Sequence, residues 1–415
     1  MTAFVVPPRV PWWGITLLIA ATFGSGMATI VPMAYSLAVR LDALAPGRPD
    51  LLGYLLGIGS AATLVVAPLT GILSDRTRSR WGRRRPFTVV GAIVGAAAVP
   101  VMVFAPDIGV LAAGWVLSTI GWNTAGGSIA NWQADRLPPD QRGKVSGLTG
   151  LSMQIAPVVG IVLVGAVRDE TLLVFAIPAI IAVATLVLFI VFAPDPDSRS
   201  APRSAPLTLG ALLRSYTFSP REAPDFTWNW IGRFVFFLGL TLTTSFTVYF
   251  YAQRLGLTVP DVAAVMALTS LLSIVTATVG SIGGGWLSDR LGRRRPLILT
   301  GAALFGAGCV ILSSAGDLLA LVAGTLVSSL GIAVFSAVGQ ALSLDVLPHR
   351  ETQAGRYMAI TLFSQKIPGV IAPVIAPVVL AIGAGTQNFT ALYLAAAALA
   401  VVGGLVVVIG VRGTQ

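Results

Sequence analysis

The sequence predicts an all-α membrane protein, with twelve transmembrane helices in two pseudo-symmetric six-helix bundles. Three observations predict it. Apolar runs long enough to cross a bilayer, about 20 residues each, recur twelve times. Basic residues crowd into alternate loops. Loop motifs of the first half return in the second at a common offset of 210 residues.

Composition sets the class. Of 415 residues, 55% are hydrophobic and only 11% charged, and the mean hydropathy is +0.85. Soluble domains carry about 25% charged residues, so a soluble globular or disordered chain is excluded. Lys+Arg 27 against Asp+Glu 17 gives a net charge of +10. The basic clusters sit between apolar runs, so they read as cytoplasmic loops and no nucleic-acid partner is expected. Cys309 and His349 are the single cysteine and histidine, which leaves no disulfide, no Cys/His metal cluster and no expected cofactor.

The runs cover 13–39, 51–74, 87–105, 108–134, 145–167, 171–193, 226–252, 260–287, 296–315, 317–344, 355–382 and 387–411. They are continuous rather than alternating, so they read as helices and not barrel strands. Gly 45 and Pro 26 suit membrane helices, where small residues permit close packing. The first run is too long for the apolar core of a cleaved signal and reads as a span. The even loops and both termini hold 21 basic residues; the odd loops hold four, namely Arg40, Arg48, Arg168 and Arg254. This asymmetry predicts a multi-pass protein of the cytoplasmic membrane with both termini in the cytoplasm. Residues 194–224 open as a Pro/Ser-rich linker and continue as LTLGALLRSYTF, which reads as an amphipathic surface helix. The linker divides the chain into an N-terminal bundle, 1–193, and a C-terminal bundle, 225–415.

The duplication is explicit. The 210-residue shift places Gly82-Arg83-Arg84-Arg85-Pro86 on Gly292-Arg293-Arg294-Arg295-Pro296, and Asp135 on Asp345. One residue more places Gln154 on Gln365. The loop after the second span reads GILSDRTRSRWGRRRPF (71–87); the loop after the eighth reads GWLSDRLGRRRPL (285–297). Both resemble the G-x-x-x-D-R-x-G-R-R signature of the major facilitator superfamily, whose fold is two parallel six-helix repeats. The longer form resembles the glycoside–pentoside–hexuronide:cation symporters and, more closely, the sucrose-transporter-like branch. No basic residue precedes Asp135 in Ala130–Asp135, where plant sucrose transporters carry an arginine.

The resemblance makes Gly71, Asp75, Arg76, Gly82, Arg83 and Arg84 a gating motif. Gly285, Asp289, Arg290, Gly292, Arg293 and Arg294 repeat it. It implies that the loop acid latches the two halves in the outward-facing state. The residues themselves add that Gly71 and Gly285 would let the helices flanking each loop pack closely. Each acid can meet a helix N-terminus and a neighbouring arginine. Asp135 with Arg142, and Asp345 with Arg356, read either as a second ring of inter-repeat ion pairs or as solvated loop charges.

The superfamily layout has spans 1, 4, 7 and 10 line a central cavity. The polar candidates for substrate binding are Tyr35, Asn123, Asn131, Asn229, Arg233 and Gln340, with Gln154 and Gln365 at matching places in spans 5 and 11. Trp122, Trp228 and Trp230 are stacking candidates or packing and interfacial residues. Arg233 and Lys366 are the ionisable residues inside spans, where burial is costly. No acid lies at comparable depth. Three readings stay open. Lys366 carries a coupling proton; the two cations attract an acidic substrate; or Arg233 snorkels to Asp225 or Asp345 and leaves Lys366 alone.

The expected function is secondary active transport of a small organic solute, sugar- or glycoside-like and neutral or acidic, by alternating access and proton-coupled. A monomer in the lipid bilayer is expected. The alternative is a drug or metabolite exporter of the same superfamily; of the exporter motif G-P-x-x-G-G, residues 156–161 match only Pro157 and Gly160. No nucleophile elbow, H-E-x-x-H or paired intramembrane carboxylate appears, so an enzyme is not expected.

Overall fold

The computed structural model describes residues 9–199, 218–348, 350–383 and 387–412. Within them every regular element is a helix. We number them α1 (Trp12–Leu44), α2 (Asp50–Arg76), α3 (Arg85–Val103), α4 (Ile108–Arg136), α5 (Pro139–Gly165) and α6 (Thr171–Phe192) in the first half. The second half holds α7 (Pro224–Thr244 and Thr247–Leu255, bent by 49°), α8 (Pro260–Leu291), α9 (Arg294–Ser313), α10 (Leu318–Asp345), α11 (Arg350–Leu380) and α12 (Phe389–Gly410). Eleven are long and apolar enough to span a membrane, or up to twelve if the bent α7 pair is one span. The expected amphipathic helix over 207–218 falls almost wholly outside the described residues.

Local chemistry explains the irregularities. Pro32 has no N–H and its ring crowds the preceding turn; α1 accommodates it by widening into a π-helical turn, Pro32–Ser36. At the α7 bend, the hydroxyls of Thr244 and Ser245 donate back to the carbonyls of Leu240 and Thr241, which loosens the helical ladder. Asp107 caps α4 by accepting from Val110 N at 2.9 Å. Asp317, 210 residues on, caps α10 by accepting from Ala320 N at 2.8 Å. The duplication therefore extends to helix starts.

The helices cluster into two compact units. One comprises residues 1–48, 58–204 and 259–267; the other comprises 49–57, 205–258 and 268–415. In the first, α3 crosses α4 at glycines: a Cβ added at Gly121 would sit 2.2 Å from Gly95 N. In the second, α9 crosses α10 the same way, and a Cβ at Gly331, again 210 residues on, would sit 2.3 Å from Phe305 N. Backbones touch because no side chain intervenes, which is how membrane helices gain dispersion contact when lipid removes the hydrophobic drive. The core of the first unit holds Leu18, Trp122, Ile129, Trp132, Leu186 and Phe189. In the second, Phe236 stacks on Phe335 with ring centroids 3.6 Å apart. Large apolar side chains such as Val275, Ile282, Val378 and Ile409 are exposed, which suits helices that are long and apolar enough to span a membrane.

Candidate transport cavity and gating loops

The arginine-rich loop between α2 and α3 is organised around Arg84, whose side chain is only 6% exposed. Its Nη2 meets Asp75 Oδ1 at 2.6 Å, and its Nε meets Asp135 Oδ2 at 2.8 Å. Its Nη1 donates to Ser74 Oγ at 2.9 Å. Arg83 Nη2 holds the other oxygen of Asp135 at 2.8 Å. Burial works against the Arg84 charge, but the hydrogen bonds and charges of Asp135 and Asp75 outweigh it and raise its pKa. The turn that aims Arg84 inward depends on Gly82, at φ +83° in the left-handed region.

Asp195 is the partner sequence reasoning missed. Its Oδ2 accepts from the backbone N of Arg84 at 2.9 Å and of Arg85 at 3.1 Å, which caps the positive end of α3. It fills the space that a side chain at position 82 would need: a Cβ there would lie 2.1 Å from Asp195 Cγ. Trp132 Nε1 donates to Pro194 O, and Ser198 Oγ accepts from Ser79 N, so the start of the linker is fastened along this loop. The signal lay in the run APDPDSR, an acid just past a helix end, but its Pro/Ser composition reads as a spacer.

The second unit repeats the arrangement loosely. Arg294, 23% exposed, pairs with Asp345 through Nε and with Asp289 through Nη1 at 3.4 Å. Gly292 turns at φ +61°, and Arg290 lies over the Trp286 ring.

Three expectations about these loops are corrected. Asp135 and Asp345 pair with the motif arginines of their own repeats, not with Arg142 and Arg356. Arg142 Nε donates to Leu137 O, and Arg356 Nη1 donates to Gln353 Oε1. The start of α3 is capped by Asp195 rather than Asp75, because Asp75 is already drawn to Arg84. A Cβ at Gly71 or Gly285 would meet nothing within 4 Å, so close helix packing is not what these glycines serve here.

Within the first unit, α1, α4 and α5 surround a cavity of about 370 Å³. No lining residue is charged. Its hydroxyls donate to their own helices: Thr22 to Leu18 O, Thr29 to Ser25 O and Thr149 to Val145 O, at 2.8, 2.8 and 3.1 Å. Asn123 Nδ2 donates to Thr119 O at 2.8 Å, and Gln133 Nε2 to Ser146 Oγ at 3.0 Å. The hydroxyls of Thr22, Thr29 and Thr149 have thus spent their protons and keep lone pairs as acceptors, while each amide keeps one N–H and its carbonyl oxygen. Trp122, packed on Gly95, adds an aromatic wall. Such a surface suits a small uncharged group rich in O–H donors, and the volume lies in the usual range of roughly 300–1,000 Å³ for ligand sites.

Of the expected binding residues, Asn123 lines this cavity. Asn131 and Gln154 do not; the first is half-buried and the second exposed. Tyr35 is fully buried, and its hydroxyl donates to Pro260 O at 2.7 Å. In the second unit Asn229 and Arg233 are buried, Gln365 is half-buried and Gln340 is exposed. Lys366 lies within the α11 span and is exposed there. Arg233 does not snorkel to an acid. Asp345 is taken by Arg294, and Asp225 Oδ1 accepts from Arg412 N at 2.9 Å. Trp228 lies on Gly410, and Trp230 donates to Ile360 O. Sequence reasoning missed Thr22, Ser25, Thr29, Gln133, Ser146 and Thr149.

A profile of the Major Facilitator Superfamily matches residues 13–282 and 274–414. The chain belongs to this superfamily. It is a multi-pass membrane protein of that transporter superfamily. Among its superfamily relatives is a sucrose transport protein of Arabidopsis thaliana (SUC3), 28% identical over 174 residues, or 35% of this chain and 28% of the relative. The sucrose transport protein SUT1 of Oryza sativa subsp. japonica is 47% identical over 51 residues, or 12% and 10%. The matched segments thus span less than a third of these relatives' own length. Solved structures share the superfamily fold end to end. The nucleoside transporter NupG has a TM-score of 0.75 at 12% identity, covering 96% of this chain and 99% of its own. The peptide transporter POT has a TM-score of 0.74 at 16% identity, covering 97% and 96%.

Proposed function

We propose that the protein is a secondary carrier of a small hydroxylated solute of the sugar or glycoside class, working as a monomer by alternating access and driven by protons. The observation that carries this reading is the α1–α4–α5 cavity, uncharged and lined by hydroxyls and amides that can bond the hydroxyl groups of a polyol both as acceptors and as donors. The sucrose transport proteins among its relatives support the same class. The six-helix halves, residues 1–193 and 225–415 joined by 194–224, are the bodies that exchange access. The crowding of arginines into alternate loops supports a cytoplasmic position for both termini at the cell membrane. Asp75, Asp289 and the motif arginines govern the exchange: Asp75→Asn frees Arg84 of one partner and biases the protein toward its inward-open state.

The test is counterflow in proteoliposomes with radiolabelled disaccharides, with and without an imposed pH gradient. Saturable exchange that a protonophore abolishes in the gradient-driven mode is the expected result. Exchange of apolar drugs with no exchange of any disaccharide overturns the reading.

A further inference from the structure

The α7 segment carries a cation that the fold leaves uncompensated. Arg233 is 1% exposed, and its Nε and Nη1 are sealed from solvent without a hydrogen-bond partner. Among the described residues no ion pair or hydrogen bond reaches the guanidinium. Its favourable contact is the Phe237 ring, 5.6 Å away. A ring quadrupole does not replace the hydration that a buried guanidinium has lost. An intramembrane cation of this kind calls for a functional partner.

One helical turn earlier, Asn229 supplies the complementary vacancy. Its Nδ2 donates to Ser343 Oγ at 3.0 Å, and Ser343 donates its single proton to Gly339 O at 2.7 Å. That chain fixes the amide: Ser343 has only an acceptor left, so Asn229 must present nitrogen to it. Asn229 Oδ1 is then a buried acceptor with no donor. Residues four apart share one helix face, so two unmet cationic donors and one unmet acceptor belong to the same face of α7. Gly339 of α10 lets the guanidinium itself approach; a Cβ there would lie 2.7 Å from Arg233 Nη1.

We infer that Arg233 and Asn229 form a binding site for a carboxylate bearing a nearby hydroxyl. The carboxylate supplies charge and acceptors to the guanidinium fork, and the hydroxyl supplies the proton that Asn229 Oδ1 lacks. The carboxylate belongs either to the transported solute or to a free organic acid. Only the first source rests on the proposed carrier function.

The experiment is calorimetric binding to the purified full-length protein, with sodium gluconate, sodium acetate and sorbitol as probes in sodium chloride of matched ionic strength. Gluconate is expected to bind saturably and at least tenfold more tightly than sorbitol. Arg233→Gln should abolish that preference, and Asn229→Ala should weaken gluconate while sparing acetate. Where Arg233→Gln does not fold, Gly339→Ala, which crowds Nη1, should lower gluconate affinity. Equal gluconate and sorbitol binding, or a preference unchanged in these variants, overturns the site. Gluconate counterflow in proteoliposomes assigns the carboxylate to the solute. Gluconate binding without counterflow assigns it to a free acid and keeps the site. Disaccharide counterflow without gluconate binding overturns the site and leaves the carrier reading standing.

Discussion

The two motif loops use the same residues at different depths, and that difference sets their energetic weight. Consider Arg84→Gln beside Arg294→Gln. Arg84 is 6% exposed and holds Asp75 at 2.6 Å, Asp135 at 2.8 Å and Ser74 at 2.9 Å. Removing one partner of a buried ion pair costs about 3–5 kcal/mol. The lower end applies, because Asp75 is 59% exposed and can rehydrate, while Asp135 keeps Arg83. Arg294 is 23% exposed and holds Asp289, itself 74% exposed, at 3.4 Å, and Asp345, 33% exposed. Two pairs this open are worth about 0.5 kcal/mol each, about 1 kcal/mol together. The expected gap is therefore about 2 kcal/mol, or a difference of about 4–8 °C in unfolding midpoint for a unit of this size. Tryptophan-fluorescence melting in detergent at one scan rate measures it. With its pKa raised, Arg84 keeps its charge across the accessible pH range, so the gap should not depend on the cation's titration. Equal midpoint losses in the two variants, or a larger loss for Arg294→Gln, would refute the assignment of Arg84 as the buried keystone.

Further outcomes follow from the same geometry. Asp195→Ala removes the cap of α3 and should cost about 1 kcal/mol, read as a midpoint drop of a few degrees. Gly82→Ala should cost more, because it strains a left-handed turn and collides with Asp195; recovery by the double variant to no better than Asp195→Ala alone checks the shared space. Gly121→Val and Gly331→Val drive a side chain into backbone 2.2 and 2.3 Å away and should each lower the yield of folded protein on size-exclusion chromatography. Gln133→Leu removes an acceptor from the α1–α4–α5 cavity and should weaken solute affinity about tenfold, about 1.4 kcal/mol, with folding intact; unchanged affinity would remove this cavity from the transport path.

The sequence read the helices well because membrane spans declare themselves by length, and the 210-residue repeat carried over to caps and helix crossings that no single span reveals. What stayed hidden depends on rotation about helix axes and on short turns. Arg83, Arg84 and Arg85 are chemically alike, and only the turn at Gly82 decides that Arg84 goes inward. In an apolar helix, periodicity does not say which face packs on protein, so the sequence placed Lys366 inside a span without revealing that α11 leaves it exposed. Serines and threonines that bond back to their own helix resemble inert filler, so most of the cavity wall passed unnoticed while Tyr35 and Gln154 drew attention by polarity alone. Arg233 was conspicuous, but its lack of an acid partner appeared only once Asp225 and Asp345 were accounted for.

The docking of Asp195 and Ser198 has a practical corollary for dissecting the molecule into separately expressed halves. An N-terminal fragment ending at residue 193 would leave the first amides of α3 bare and vacate the hollow beside Gly82. One ending at residue 199 carries its own stopper. Scission sites chosen from helix ends alone would thus mistake an integral brace for slack.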